Sequence, residues 1–330
     1  MDLSVLFLGT AASVPTSQRG TAGFLVRRGG DRLLIDCGEG TQRQLLRSGV
    51  GLVDVDEILL THYHADHFLG LPGMLKTFGL RGREAPLAIY GPPGLRSLIG
   101  SLEVVFGRLP YRIDLVELER GDWIGHDGYR VDSFTTDHGV PSVGYAVIED
   151  VRPGRFDLDQ ARRLGVPDGP MFGALQRGEA VTLGDGGKID PGMVLGPARP
   201  GRRVVFSGDT RPCPAMVEAA AGADLLVHEA TFLHEEAARA RQTGHCTATQ
   251  AGRIARDAQV TMLALTHLST RHLVRDIRRE AEQEFPNTVV PRDFDVIDLP
   301  LPERGGPCLQ QAGDGEEPAP AEAVDLPLAE

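Results

Sequence analysis

Cysteine is scarce in this chain. Four stand among 330 residues, at positions 37, 213, 246 and 308, and no two form a C-x-x-C pair. That spacing excludes a disulfide frame and a cysteine-based zinc site, and it predicts reduced thiols. Long apolar runs are absent too, so no segment is expected to span a bilayer. The opening Met1-Asp2-Leu3-Ser4 lacks the basic start of a signal peptide, so a cytoplasmic protein with no membrane partner is expected. Positive charge is in deficit, with a net charge of −12. Taken whole, that balance argues against a nucleic-acid partner. Its distribution weakens the argument, because residues 303–330 hold seven acids against Arg304 and carry −6 of the total. Half the excess therefore lies in a stretch that need not touch a partner.

What the chain does have is a dense knot of histidine. His62-Tyr63-His64-Ala65-Asp66-His67 packs three of the ten histidines and an aspartate into six residues. Before it stands the apolar run Ile58-Leu59-Leu60, short enough for a buried strand. After it, Phe68 to Lys76 reads as the start of a helix. The knot is thus expected on the loop leaving the carboxyl end of a strand, where open α/β sheets place their sites. A solvated polar turn would not need imidazole and carboxylate at this density; a Zn²⁺ or similar divalent ion would.

Strands are predicted at Leu3–Thr10, Gly23–Arg27, Arg32–Asp36, Ala88–Tyr90, Arg112–Leu118 and Tyr129–Phe134, with a helix over Leu95–Phe106. The second half echoes the first. Val204 to Thr210, Asp224 to Glu229 and Met262 to His267 are further strands that deliver acids and histidines to one edge. Two β-sheets packed face to face with outer helices are expected. His138, His228 and His267 stand at strand ends, and Asp209 is the acid best placed to bridge two ions. His126 reads as a surface residue, and His234 and His272 as solvated. His245 starts a helix and is expected to face a cleft. No nucleophilic serine or cysteine and no phosphate-cradling glycine loop accompanies this set, which points to direct attack by water.

Residues 152–203 are an insert rich in Gly and Pro, with nine basic and six acidic residues. It is expected to bury little apolar area. A helix is predicted at Leu158–Leu164 and a turn at Val166–Pro170. Beyond about Pro302 the chain reads as a disordered acidic tail.

These motifs resemble the metallo-β-lactamase-fold hydrolases and, within them, the ribonuclease Z family. The resemblance runs from Leu3 to about Leu301. It is carried by Leu8-Gly9-Thr10, Asp36 to Gln42, the histidine knot, Phe206 to Thr210, His228 to Phe232, Gly244 to Thr247 and Leu265-Thr266-His267. It implies an αββα sandwich over residues 1–302, with 152–203 as a protruding exosite arm that grips tRNA, and 303–330 as the tail. It implies two zinc ions per subunit, one on His62, His64 and His138, the other on Asp66, His67 and His267, bridged by Asp209. Asp66 would act as general base, His245 supported by Glu229 would protonate the leaving oxygen, and Asp36 would orient a ligand histidine. The implied activity is removal of the 3′ trailer from precursor tRNA, by a homodimer in which the arm of one subunit serves the other.

In one place the chain departs from the family pattern. Where the family often has P-x-K-x-R-N, this chain reads Pro15-Thr16-Ser17-Gln18-Arg19-Gly20. Other phosphodiesterases and small-ester hydrolases of the same fold are the alternative; the basic insert argues against a small substrate. The complete ligand set argues against a non-catalytic RNA-binding protein. The histidine at position 64, where related diiron oxidases usually carry glutamate, argues against redox chemistry.

Overall fold

The computed structural model describes residues 1–52 and 55–312. The chain begins with β1 (Leu3–Gly9), β2 (Gly23–Arg28), β3 (Asp31–Ile35), α1 (Thr41–Arg47) and β4 (Glu57–Leu59). The one-turn α2 (Ala65–Phe68), α3 (Leu71–Leu80), β5 (Leu87–Gly91), α4 (Leu95–Phe106) and β6 (Ile113–Glu117) follow. β1, β2 and β3 pair antiparallel, and β3 to β6 then run parallel through helical crossovers. Strands covered on both faces read as unbroken apolar runs, which is why Leu33-Leu34-Ile35 and Ile58-Leu59-Leu60 are buried. On α4 the buried and half-buried Leu95, Ile99, Leu102 and Phe106 recur at helical spacing and pack with Met74, Leu75, Phe78 and Ile89. Each such side chain contributes about 1.5–3 kcal/mol by leaving water.

Next come β7 (Trp123–His126), β8 (Tyr129–Thr135), β9 (Val143–Glu149), α5 (Leu158–Arg163), α6 (Pro170–Gln176), β10 (Val181–Thr182) and β11 (Lys188–Ile189). The chain continues through β12 (Arg203–Phe206), α7 (Pro214–Ala220), β13 (Leu225–Glu229), α8 (Ala237–Thr243), α9 (Ala248–Asp257), β14 (Met262–Thr266), α10 (Val274–Glu284), β15 (Thr288–Val289), β16 (Val296–Asp298) and β17 (Cys308–Gln310). One sheet has the order β17-β16-β1-β2-β3-β4-β5-β6 and the other β15-β14-β13-β12-β9-β8-β7. Phe24 of β2 and Phe206 of β12 meet between them with ring centroids 5.8 Å apart. The Tyr145 hydroxyl of β9 donates to the Leu60 carbonyl at 2.7 Å. This is the two-sheet, helix-flanked metallo-β-lactamase architecture. Strands β12, β13 and β14 are parallel neighbours, so the residues after them emerge at one edge.

The chain divides into two compact units, and residues 126–130 with 148–202 form the smaller one. The insert was expected to bury little apolar area; instead Ala161, Val166, Leu175, Val181, Ile189 and Val194 make a core of their own, with Phe156, Met171 and Phe172 packed on it. The expected turn ending at Pro170 runs directly into α6, with the proline in its first turn, where the missing N–H costs nothing. Arg202 and Glu149 form a buried bidentate pair, with Nε to Oε2 and Nη2 to Oε1 both 2.7 Å. The tail also needs correction. Pro302–Arg304 form a 3₁₀ turn and β17 adds an edge strand to β16, so order continues past position 303. The acidic stretch 313–330 of the expected tail lies outside the described residues.

Candidate metal centre

The site starts at the ends of β3 and β4. Asp36 sits at φ 56°, in left-handed backbone, and accepts from the Thr61 amide at 2.8 Å and its hydroxyl at 2.9 Å. This staple fixes the loop that carries the histidine knot. His64 caps α2 in extended backbone, and one helical turn then presents Asp66 and His67 together. His138 follows β8, Asp209 follows β12, and His267 follows β14, again in left-handed backbone at φ 55°. Gly208, at φ 58°, precedes Asp209; a Cβ there would lie 2.9 Å from Thr61, so only glycine lets the two loops meet.

All seven expected ligands converge. His62, His64 and His138 offer nitrogens to one point, and Asp66, His67 and His267 offer donors to another. The Asp209 Oδ2 lies between, 3.8 Å from His62 and His138, 3.4 Å from His67 and 3.3 Å from His267. Each of four histidines has its Nδ1 side engaged while Nε2 faces the centre. His67 Nδ1–H donates to Asp36 at 2.7 Å and His138 Nδ1–H to the Gly244 carbonyl at 2.8 Å. His267 Nδ1 meets the Thr231 hydroxyl at 2.9 Å, and His62 Nδ1 meets that of Thr61 at 3.1 Å. That is how outer partners orient metal-binding imidazoles.

Two features test whether a metal fits. The His64 Nδ1 lies 3.1 Å from His62 Nε2 and 3.0 Å from His138 Nε2. Donors about 2.0–2.1 Å from a shared tetrahedral ion stand about 3.3 Å apart, so these spacings suit ligand edges. Asp209 Oδ1 is buried and has no hydrogen-bond partner among the described residues, a costly state that a cation relieves. The donors fit a pair of divalent ions.

Electrostatics agree with the geometry. Burial pushes the Asp209 carboxyl up, but the charges of His267 and His67 outweigh it and hold the group well below the carboxylate range. Burial lowers His62, helped by the neighbouring His67. His67 is pushed down by burial but raised well above its usual value by Asp209 and Asp36. Beside the cluster, His245 Nδ1 sits 3.0 Å from Glu229 Oε1. Burial pulls His245 down, yet the Glu229 carboxylate outweighs that and carries it up to about 9. Glu229 also accepts from the Thr231 hydroxyl at 2.7 Å and the Thr210 amide at 3.0 Å.

Three expectations about histidines resolve differently. His228 stands at a strand end as expected but joins none of the donor groups found among the described residues; its Nδ1–H donates to the Glu229 carbonyl at 2.7 Å. His272 is not solvated: its side chain is 7% exposed and lies 2.8 Å from Glu236. His126 is half-buried in β7, stacked on Tyr129. Sequence reasoning gave no role to Thr231, whose hydroxyl links Glu229 to His267. It also passed over Ser13, whose amide donates to Asp66 Oδ2 at 2.8 Å. Backbone donation leaves no mark in residue type; the Glu-Ala-Thr spacing alone hinted at Thr231.

Residues 18–154 match the model of the metallo-beta-lactamase superfamily, and residues 187–268 that of a beta-lactamase superfamily domain. The chain is 48% identical to a ribonuclease Z of Myxococcus xanthus, over 91% of this chain and 98% of that protein. It is 42% identical to a ribonuclease Z of Methanosarcina acetivorans, over 90% and 98% respectively. Among solved structures, the short form of human tRNase Z superposes with a TM-score of 0.65 at 28% identity, covering 90% of this chain and 99% of that one. The metallo-β-lactamase fold protein YhfI of Bacillus subtilis superposes with a TM-score of 0.66 at 20% identity, covering 90% and 99%, which speaks for the fold alone. With nearly half its residues shared across almost the full length of such relatives, the chain belongs to the ribonuclease Z family of the metallo-β-lactamase superfamily.

Proposed function

We propose that this chain is a zinc-dependent endoribonuclease that removes the 3′ trailer from precursor tRNA, leaving a tRNA 3′-hydroxyl and a 5′-phosphorylated trailer. The observation that carries the reading is the pairing of two metal-ligand triads around Asp209 with a His245–Glu229 pair at their side, in a chain of this family. Imidazole-rich donors favour zinc over magnesium or calcium. His62, His64 and His138 would hold one ion, Asp66, His67 and His267 the other, with Asp209 shared. Bound divalent ions at such spacing lower the pKa of water and offset charge on a phosphoryl group.

The chain's own residues divide the proton work. Asp66 stays ionised, because His267 and His67 outweigh the upward push of burial, and it takes the proton of the attacking water. The new P–O bond forms as the bond to the tRNA 3′ oxygen breaks. His245, kept protonated by Glu229, delivers its proton to that oxygen. Thr231 and Thr210 hold Glu229 so that its charge faces His245. General acid and base groups so placed each contribute about 10²–10⁴-fold.

In this reading the chain through β17 forms the nuclease domain, with 152–203 an arm that grips the tRNA, the enzyme works as a homodimer, and its place is the cytoplasm. The unpaired cysteines suit a reducing compartment. The test is cleavage of a precursor tRNA with end mapping, beside hydrolysis of bis(p-nitrophenyl) phosphate. About two zinc ions per chain and a cut leaving a 3′-hydroxyl are expected. Hydrolysis of the small ester with the precursor left intact would overturn the tRNA reading.

A further inference from the structure

Behind the metal centre, on the side of the core, lies a small cavity of about 20 Å³. Its apolar wall is Phe24, Ile35, Phe206 and Val227, from facing strands of the two sheets. The metal donors His62, His64, Asp66 and His138 take no part in its lining, so it is distinct from the space the ions would share.

Asp209 and Thr266 line the cavity as well. Both are buried, at 3% and 6% exposure. Asp209 turns Oδ2 toward the imidazoles, with His267 at 3.3 Å. Its Oδ1 has no hydrogen-bond partner among the described residues, and neither has the Thr266 hydroxyl. An ion held on Oδ2 offsets the charge of Asp209, yet the lone pairs of Oδ1 remain to be filled. Thr266 ends β14 in register with Glu229 of β13. Valine has the same branched shape and suits a strand equally well. A buried hydroxyl with nothing to bond is destabilising beside that apolar isostere. Two such polar atoms at one cavity point to a molecule bonded between them.

We propose that one buried water sits in this cavity and makes Thr266 a positioning residue for the shared carboxylate of Asp209. Space of about 10–15 Å³ is enough for a water, which takes about two to four polar partners. Three are at hand. The Thr266 hydroxyl donates to the water, and the water donates to Asp209 Oδ1 and to the Ser207 hydroxyl oxygen. Ser207 lines the same cavity. Its own proton goes to the Gly208 carbonyl at 2.6 Å, and one lone pair takes the Glu229 amide at 3.1 Å, so one lone pair is left. The terminal torsion of an aspartate is soft. A bond on Oδ1 fixes it, and Oδ2 alone then faces both ions. The proposal rests on the two-metal reading above and not on the RNA substrate.

The test uses the full chain as wild type, Thr266→Val and Thr266→Ser. Valine keeps the shape and loses the hydroxyl; serine keeps the hydroxyl. Crystals of each zinc-loaded protein are read at the cavity, at a resolution that shows ordered water. Chelator competition gives zinc affinity, and urea unfolding after chelation gives stability. A water between Asp209 and Thr266 is expected in the wild type and in Thr266→Ser, and none in Thr266→Val. The valine variant should hold its weaker zinc about ten- to hundredfold less tightly, as when an outer partner of a metal ligand is lost. Its kcat for precursor tRNA and for bis(p-nitrophenyl) phosphate should fall by the same factor, with KM unchanged. Serine should restore both affinity and rate. A wild-type cavity without water overturns the proposal. So does a Thr266→Val protein that is more stable than wild type and binds zinc as tightly, the mark of a hydroxyl with no bond to lose. If the valine variant fails to fold, the wild-type and serine crystals decide by the water alone. If the wild type shows the water but takes up no zinc, the water site stands and the two-metal reading falls.

Discussion

At the scale of single residues, the centre is set by left-handed backbone at three places where glycine is absent. Ser13, Asp36 and His267 have φ of 59°, 56° and 55°. Asp36 orients His67, His267 is itself a donor, and Ser13 turns its amide onto Asp66. Non-glycine residues in this region cost about 1 kcal/mol or more and survive where their surroundings enforce them. Ser13 therefore acts through backbone shape, not through its hydroxyl. Ser13→Gly should leave kcat for precursor tRNA near wild type, since glycine enters this conformation freely. Ser13→Pro removes the donor and fixes φ near −65°, so kcat should fall at least about tenfold, the cost of about one charge-assisted hydrogen bond. KM and zinc content should hold. Steady-state kinetics beside metal analysis of both variants decide it; equal rates for Gly and Pro would remove Ser13 from the positioning of Asp66.

At the scale of elements, Asp293 ties four pieces of chain together. Its carboxylate takes the Thr10 hydroxyl after β1 at 2.9 Å, the Gly20 amide before β2 at 2.6 Å and Gln44 of α1 at 2.7 Å, while it precedes β16 itself. Burial pushes its pKa up to about 6, against those bonds and the charge of Arg19, which pull it down. A folded carboxyl above its unfolded value of 3.8 binds its proton more tightly than the unfolded chain does. Its contribution is thus most favourable below about pH 4 and is lost as pH rises through about 6. Asp293→Asn should remove that slope. Measured by urea unfolding, the variant should gain about 2 kcal/mol relative to wild type between about pH 4 and 7. A constant difference across that range would show that Asp293 does not titrate. Legibility also differs by element. The stripe Leu95, Ile99, Leu102, Phe106 predicts α4 to the residue, and the histidine knot predicts its own loop. β9 escapes notice because Gly144 interrupts it, although a Cβ there would lie 2.2 Å from the Phe134 ring. His228 and Glu229 share a strand end, and only the alternation of faces decides which one looks at His245. The core of the insert is hidden because its apolar residues fall singly among Gly and Pro, with no period to read.

At the scale of the whole molecule, the proposed reading makes the insert and the centre separable pieces of one function. Arg152 and Arg199 exchange both backbone hydrogen bonds, at 2.8 and 2.9 Å, so the ends of the insert already meet and a short turn can replace residues 153–198. Glu149 and Arg202 close the same base from within, where losing one partner of a buried pair costs about 3–5 kcal/mol, so both belong in any shortened chain. The shortened protein should hydrolyse bis(p-nitrophenyl) phosphate at the wild-type rate and lose most precursor cleavage. Asp66→Ala should lose both activities. If the enzyme is a homodimer whose arm serves the opposite subunit, mixing these two proteins restores precursor cleavage. Half of the randomly paired dimers are mixed, and each joins one intact arm to one intact centre across the interface, so about a quarter of wild-type activity should return. If the arm serves its own centre, a mixed dimer has no subunit with both parts and nothing returns. Exchange of subunits, followed by size and by fluorescence transfer between labelled chains, shows that mixed dimers formed, so a silent mixture then assigns the arm to its own active site.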